Sequence, residues 1–203
     1  MIMASTVCLT GTLDTKGEEY AYVKEQIEAT GTNVLMVDCG VLGNPTFAPD
    51  VTAEEVAAKA GVDLAEWRDS SEDAGGRVSA NQAMSKGLTV LLQELVEAGK
   101  IQAVLALGGT GGTDLASAAY RELPLGFPKL IVSTMASNNT RPYVGHSDMY
   151  MANAVTDIAG LNSVSRVVLA NAAHAIAGMA EGYDRPKNSP PPASRSSASR
   201  CSV

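Results

Sequence analysis

Gly108-Gly109-Thr110-Gly111-Gly112-Thr113 follows an apolar run, Val104-Leu105-Ala106-Leu107, and precedes Asp114-Leu115-Ala116-Ser117-Ala118-Ala119-Tyr120. The order reads as strand, glycine turn, helix. Glycine lets the main chain approach a ligand closely and adopt positive φ. A helix start offers unpaired N–H groups and a partial positive charge, both suited to phosphate. No Gly-Lys-Ser/Thr closes the turn, so it is not a Walker A loop, and it also departs from Gly-x-Gly-x-x-Gly. Phosphate binding would therefore fall to backbone N–H groups together with the Thr110 and Thr113 hydroxyls. The plainer structural alternative is a tight strand-to-helix turn with Asp114 set in the first helical turn for the dipole.

Three further loops carry residues of useful chemistry. In Gly11-Thr12-Leu13-Asp14-Thr15-Lys16-Gly17, Thr12 adds a hydroxyl. Asp14 suits a ribose hydroxyl or a metal, and Lys16 suits a phosphate; an Asx-turn with a solvated lysine is the alternative. Asp38-Cys39-Gly40 is the second. In the third, Ser133-Thr134-Met135-Ala136-Ser137-Asn138-Asn139, the hydroxyls of Ser133, Thr134 and Ser137 suit phosphate or carboxylate. Arg141 reads as an anion contact or as an ordinary loop cation. Ser137, His146 and Asp148 hold the residue types of a hydrolytic triad, but nothing in their spacing enforces one. No His/Cys/Asp cluster has transition-metal spacing, so no metal is expected from the side chains alone.

The elements that must position these loops alternate. Strands are expected at Ser5–Thr10, Asn33–Asp38, Val104–Leu107, Leu130–Ser133 and Met149–Ala154. Helices are expected at Glu18–Thr30, from a Thr52/Glu55 capping box to Lys59, at Leu64–Arg68, at Arg77–Ala98, from Asp114, and at Leu161–Ala180, where Asn162 caps. Ser70–Gly76 is polar and reads as a mobile link. This β-loop-α-β order specifies an α/β protein, a Rossmann-like three-layer αβα fold with a mostly parallel sheet. In such sheets ligands gather beyond the carboxyl ends of the strands, where all four loops would lie.

Composition narrows the classes. Of 203 residues 45% are hydrophobic and only 4% aromatic, so a sizeable core must be built from aliphatic side chains. No apolar run reaches the roughly 18 residues a membrane span needs. The first residues lack the pattern of a secretory signal. Cys8, Cys39 and Cys201 form no disulfide framework, and a reduced, cytoplasmic setting fits them. Residues 1–183 carry 11 Lys/Arg against 21 Asp/Glu, a balance of −10, which argues against direct nucleic-acid binding. Residues 184–203 carry a balance of +3, four prolines and six serines, and are expected to be a disordered Ser/Pro/Arg tail.

Five segments together resemble one family. Gly11–Gly17, Leu107–Thr113, Val132-Ser133-Thr134-Met135-Ala136-Ser137, Pro142-Tyr143-Val144-Gly145 and Asp157-Ile158-Ala159-Gly160-Leu161-Asn162 are similar, in order over about residues 4–180, to the Tm-1-like ATP-binding family, also called UPF0261. The resemblance implies a nucleotide-binding half and ATP, with Mg²⁺, as the ligand. It also implies a homodimer. A plant member inhibits tomato mosaic virus RNA replication by binding the viral replication protein, so a protein partner is implied too. An enzyme acting on a phosphorylated or carboxylated small metabolite is the alternative. Two departures stand out. Ser137-Asn138-Asn139 replaces the family's Ser-Gly-Asp. The family's second domain of similar size is absent, so residues 1–183 are expected to be an incomplete version of a two-domain protein. A shifted reading frame in the coding sequence would account for the Ser/Pro/Arg tail.

Overall fold

A computed structural model describes residues 4–65 and 74–184, the side chains of 74–80 excepted. The tail beyond residue 184, most of the Leu64–Arg68 helix and the first part of Ser70–Gly76 lie outside the described residues. Five strands form one sheet: β1 (Thr6–Gly11), β2 (Asn33–Asp38), β3 (Ala103–Gly108), β4 (Lys129–Ser133) and β5 (Tyr150–Asn153). All pairs are parallel, in the order β2-β1-β3-β4-β5. The helices are α1 (Leu13–Glu28), α2 (Ala53–Lys59), α3 (Ala74–Glu97), α4 (Thr110–Tyr120), the one-turn α5 (Arg141–Val144) and α6 (Ser163–Asp184).

Alternation along the strands divides the core. Val7 and Leu9 of β1 face one side, with Leu105 and Leu107 of β3, and pack under α1 and α6. Cys8, Val104 and Ala106 face the other side and pack under α2, α3 and α4. Successive side chains point to opposite faces of a strand, so a sheet covered on both sides needs an apolar run rather than alternation. That is why the short runs Val104–Leu107 and Leu130–Val132 are legible as strands. The layers are those of an αβα sandwich.

Two helix starts differ from the sequence reading. Helix α1 begins at Leu13, not Glu18. Thr12 is its N-cap residue, its carbonyl accepting from Thr15 and Lys16, and Leu13 is fully buried. A kink at Lys16 (φ −135°, ψ 26°) joins this first turn to the rest, so Gly17 lies inside the helix instead of ending a loop. Gly17 is there because a Cβ would sit 1.7 Å from the Thr46 hydroxyl. Helix α4 begins at Thr110, with Gly109 as N-cap, so Gly111, Gly112 and Thr113 form a first helical turn rather than a connecting loop. None of these glycines has positive φ. Gly108 serves close packing instead: a Cβ on it would lie 3.0 Å from the Gly112 Cα. Helix α3 takes in Ala74–Gly76, and α6 runs on to Asp184. The Thr52/Glu55 capping box and the Asn162 cap, which accepts from Val164 and Ser165 N–H at 2.9 Å each, form as read.

Candidate functional site

The register levels the carboxyl ends of the strands. Asp38 lies opposite Gly11, Gly108 opposite Ser133, and Ser133 opposite Asn153. The chain leaves β1 for β2 on one side and returns to place β3 on the other. The connections after β1 and β3 therefore diverge, which opens a crevice at the switch point of the strand order. A cavity of about 430 Å³ occupies it. Its walls come from the start of α1 (Thr12, Asp14, Thr15), the loop after β2 (Val41, Leu42), α3 (Asn81) and the start of α4 (Thr110, Gly111, Gly112, Asp114).

The first turn of α4 forms part of the lining. The first helical bond of α4 runs from Thr113 N–H to Gly109 carbonyl at 2.9 Å. The N–H groups of Thr110, Gly111 and Gly112 come before it and have no acceptor within the helix. Gly109 and Gly111 keep that surface low. A Cβ on Gly111 would meet only the Asn81 Nδ2, at 3.3 Å, and one on Gly109 only the Thr134 hydroxyl, at 3.7 Å. The walls are acidic. One Asp14 oxygen accepts from Leu42 and Gly43 N–H at 2.8 and 3.2 Å, and its other oxygen is buried without a hydrogen-bond partner. Burial pushes the Asp114 carboxyl up, with Arg121 opposing. Among the described residues no three His, Cys, Asp or Glu side chains converge as a metal cluster.

The remaining residues singled out from sequence are placed as follows. Thr12 lines the cavity, and its hydroxyl bonds that of Thr15 at 2.8 Å. The Lys16 ammonium donates to the Ile158 carbonyl. Thr113 is fully buried: its hydroxyl reaches the Gly109 carbonyl at 2.7 Å and the Ser133 hydroxyl at 2.6 Å. Ser133, equally buried, also accepts from Met135 N–H at 2.9 Å. These two hydroxyls tie the start of α4 to the end of β4. Thr134, half-buried, and Ser137, exposed, lie on the 3-10 turn Thr134–Ser137 after β4. Arg141 is exposed at the start of α5. Asp148 accepts from Lys129 and from Gly126 N–H, each at 2.6 Å. Asp38, at the end of β2, is an internal strap: its carboxylate accepts from Leu13 and Gly40 N–H at 3.0 and 2.8 Å. Burial pushes its pKa up and those two bonds oppose the rise, while Asp14 raises it further. Asn81 is the residue that sequence reading missed. It occupies a polar position on α3, and nothing in its neighbours marks it.

The model of the UPF0261 N-terminal domain, described as an uncharacterised protein family, matches residues 5–185. This chain belongs to that family. A UPF0261 protein of Clostridium tetani is 39% identical over 180 residues, covering 89% of this chain and 44% of the relative. One from Mesorhizobium japonicum is 43% identical over 186 residues, covering 92% and 44%. The tomato protein named ToMV susceptible protein tm-1(GCR26) is 34% identical over 183 residues, covering 85% of this chain and 24% of its own length. The chain spans less than half the length of the curated relatives it matches. The match covers β1 through α6, so every wall of the switch-point cavity belongs to the UPF0261 N-terminal domain.

Proposed function

We propose that this UPF0261 domain binds a nucleotide, ATP as its Mg²⁺ complex, with the phosphates over the first turn of α4. The observation that carries the reading is the row of N–H groups without helical acceptors at Thr110, Gly111 and Gly112, residues that line a cavity at the switch point. Backbone donors and the dipole of an eleven-residue helix both favour an anion there. The family resemblance to ATP-binding proteins supports the same ligand.

The charge of the walls bears on its form. Among the described residues no basic side chain lines this cavity, whereas Asp14 and Asp114 do. A bare triphosphate would meet two carboxylates. Magnesium is commonly held by one or two carboxylates plus substrate phosphates, with water completing its shell. The unpaired, buried Asp14 oxygen and the exposed Asp114 fit that donor set. Bound there, the ion would neutralise phosphate charge and fix the phosphates against the wall. The protein's own part is orientation by main-chain amides.

Calorimetry of the full chain with ATP tests the reading. Binding is expected in Mg²⁺ and weaker in EDTA. Gly111→Val puts a branched side chain over the amides and should weaken binding at least about tenfold, the 1.4 kcal/mol that corresponds to one lost amide–phosphate bond. Unchanged affinity in that variant, with its fold intact by circular dichroism, removes the α4 turn as the site.

A further inference from the structure

A second cavity, of about 530 Å³, adjoins the first and shares Asn81 and Asp114 with it. It lies between α3 and α4, beside their apolar contact, and polar side chains from both line it together with Leu115, Ala118, Pro142 and Tyr143. Helix α4 contributes Asp114, Leu115, Ser117 and Ala118, its C-cap Arg121 follows one turn on, and α3 contributes Gln82, Ser85 and Lys86 beside Asn81. Ser85, Ser117 and Ala118 are short and leave room above them.

The charge here is opposite to that of the first cavity. Lys86, Arg121 and Asp114 are the charged residues among its described lining, a balance of one positive charge. Arg121 is held in place: one of its terminal nitrogens donates to the Pro142 carbonyl at 2.6 Å and to the Tyr143 carbonyl at 3.2 Å. That clamp orients the guanidinium plane and leaves its other N–H groups for a ligand. A fixed guanidinium with an ammonium lining the same cavity is an arrangement that recognises a carboxylate or phosphate.

We propose that this cavity binds the acid group of a second small ligand, a carboxylate or a phosphate ester, held between Lys86 and Arg121 beside the nucleotide phosphates. The domain then presents two anion positions in one continuous groove: main-chain amides with carboxylates for a metal-bound phosphate, and paired cations for a metal-free acid. The second position exists whatever fills the first, but its role as the partner of a nucleotide rests on the nucleotide reading above.

Calorimetric titration of the full chain with inorganic phosphate and with malonate tests the subsite, each with and without saturating Mg-ATP. At least one of the two is expected to bind with a Kd no weaker than about 10 mM. Lys86→Gln, a change at an exposed side chain, should weaken that binding about fivefold or more, and Arg121→Gln about tenfold, the loss of one charge-assisted contact in each case. Affinity for Mg-ATP should stay within twofold of the parent in both variants, about the noise of such a comparison. Phosphate alone binding marks a phosphorylated ligand, malonate alone a carboxylate, and either supports the proposal. Absence of binding by both, binding unaffected by Lys86→Gln, or displacement of the anion by Mg-ATP overturns it. Failure of ATP to bind while the anion still binds in a Lys86-dependent way would overturn the nucleotide reading and leave the acid subsite standing.

Discussion

Lys129 offers the sharpest test of how the floor of this fold is held together. Its side chain is fully buried, and its ammonium donates to the Pro124 carbonyl at 2.8 Å, the Phe127 carbonyl at 2.8 Å and the Asp148 carboxylate at 2.6 Å. An ammonium has three donors, and all three are used. Asp148, with 39% of its side chain exposed, also accepts from Gly126 N–H. The pair therefore fixes the loop that leads into β4 and the approach to β5.

Replacing Lys129 with Met keeps most of the stem and removes the charge. The change loses the bond to Asp148, worth about 1.5–3 kcal/mol, and takes the donor from both the Pro124 and Phe127 carbonyls, of which the buried Phe127 one costs about 1–3 kcal/mol, less what the new apolar surface returns. A net loss of about 3 kcal/mol follows, which at a urea m-value of about 2–3 kcal/mol/M lowers the unfolding midpoint by about 1–1.5 M. Asp148→Asn tests the other half. It leaves the ammonium buried without a counter-charge, which in a fully buried pair costs about 3–5 kcal/mol. Water reaches the exposed carboxylate side, so about 2–3 kcal/mol is the discounted expectation. The double variant should cost about 1–2 kcal/mol less than the two singles together. Urea denaturation followed by far-UV circular dichroism gives all three. Additive losses, or an Asp148→Asn variant within about 0.5 kcal/mol of the parent, would mean that the two carbonyls alone satisfy the ammonium and that the ion pair is incidental. The pH dependence adds a sign. Burial pushes the Asp148 carboxyl up, but hydrogen bonds from Lys129 and Gly126 outweigh it and hold the group below its ordinary value of 3.8. A depressed folded-state pKa gives stability that is present above the unfolded value and lost as pH falls through the folded one. The gap between the parent and Asp148→Asn should therefore narrow below pH 3.8.

Two glycine and tyrosine substitutions separate packing from binding. Gly108→Ala places a Cβ 3.0 Å from the Gly112 Cα and 3.3 Å from the Thr113 nitrogen, both backbone, so thermal unfolding should show a loss of about 1–3 kcal/mol; an unchanged melting temperature would show that β3 and α4 can separate freely. The Tyr20 hydroxyl accepts from Leu107 N–H at 2.8 Å and lies 2.7 Å from the Thr10 carbonyl, bridging α1, β1 and β3. Tyr20→Phe leaves that N–H unpaired in a dry core and should cost about 1–3 kcal/mol by the same assay, with a loss below about 0.5 kcal/mol refuting the bridge.

The strands were legible because their burial is written locally. Val104–Leu107 and Leu130–Val132 are uninterrupted apolar runs bounded by glycine or polar residues, and a sheet covered on both faces needs nothing more. Thr52 and Glu55 announced their helix for the same reason, since both partners of a capping box lie within four residues. The start of α1 was not legible. Thr15 and Gly17 have poor helix propensity, and the turn forms because Asp38, 25 residues away, takes the Leu13 N–H and because Leu13 itself is buried. Tertiary contacts overrode local preference there.

The same distinction runs through the candidate site. What a loop's main chain offers follows from its place at the end of a strand, so the ends of β1, β2 and β3 could be located beside the cavity from the order of elements, whereas the loop after β4 (residues 133–139) contributes no residue to its lining. What a side chain does depends on which remote group reaches it first. Thr113 and Ser133, two hydroxyls of apparently equal promise, lie 20 residues apart in sequence and bond each other at 2.6 Å, so they rigidify the junction instead of facing the cavity. The Lys16 amine meets the Ile158 carbonyl, 142 residues on. Asn81, from a helix with no motif at all, lines both cavities. A buried polar group must find a partner, and in a compact sheet the nearest partner is usually protein. The side chains left over at the switch point are therefore informative: two aspartates, one from α1 and one from α4, and a lysine and a clamped arginine farther along the groove.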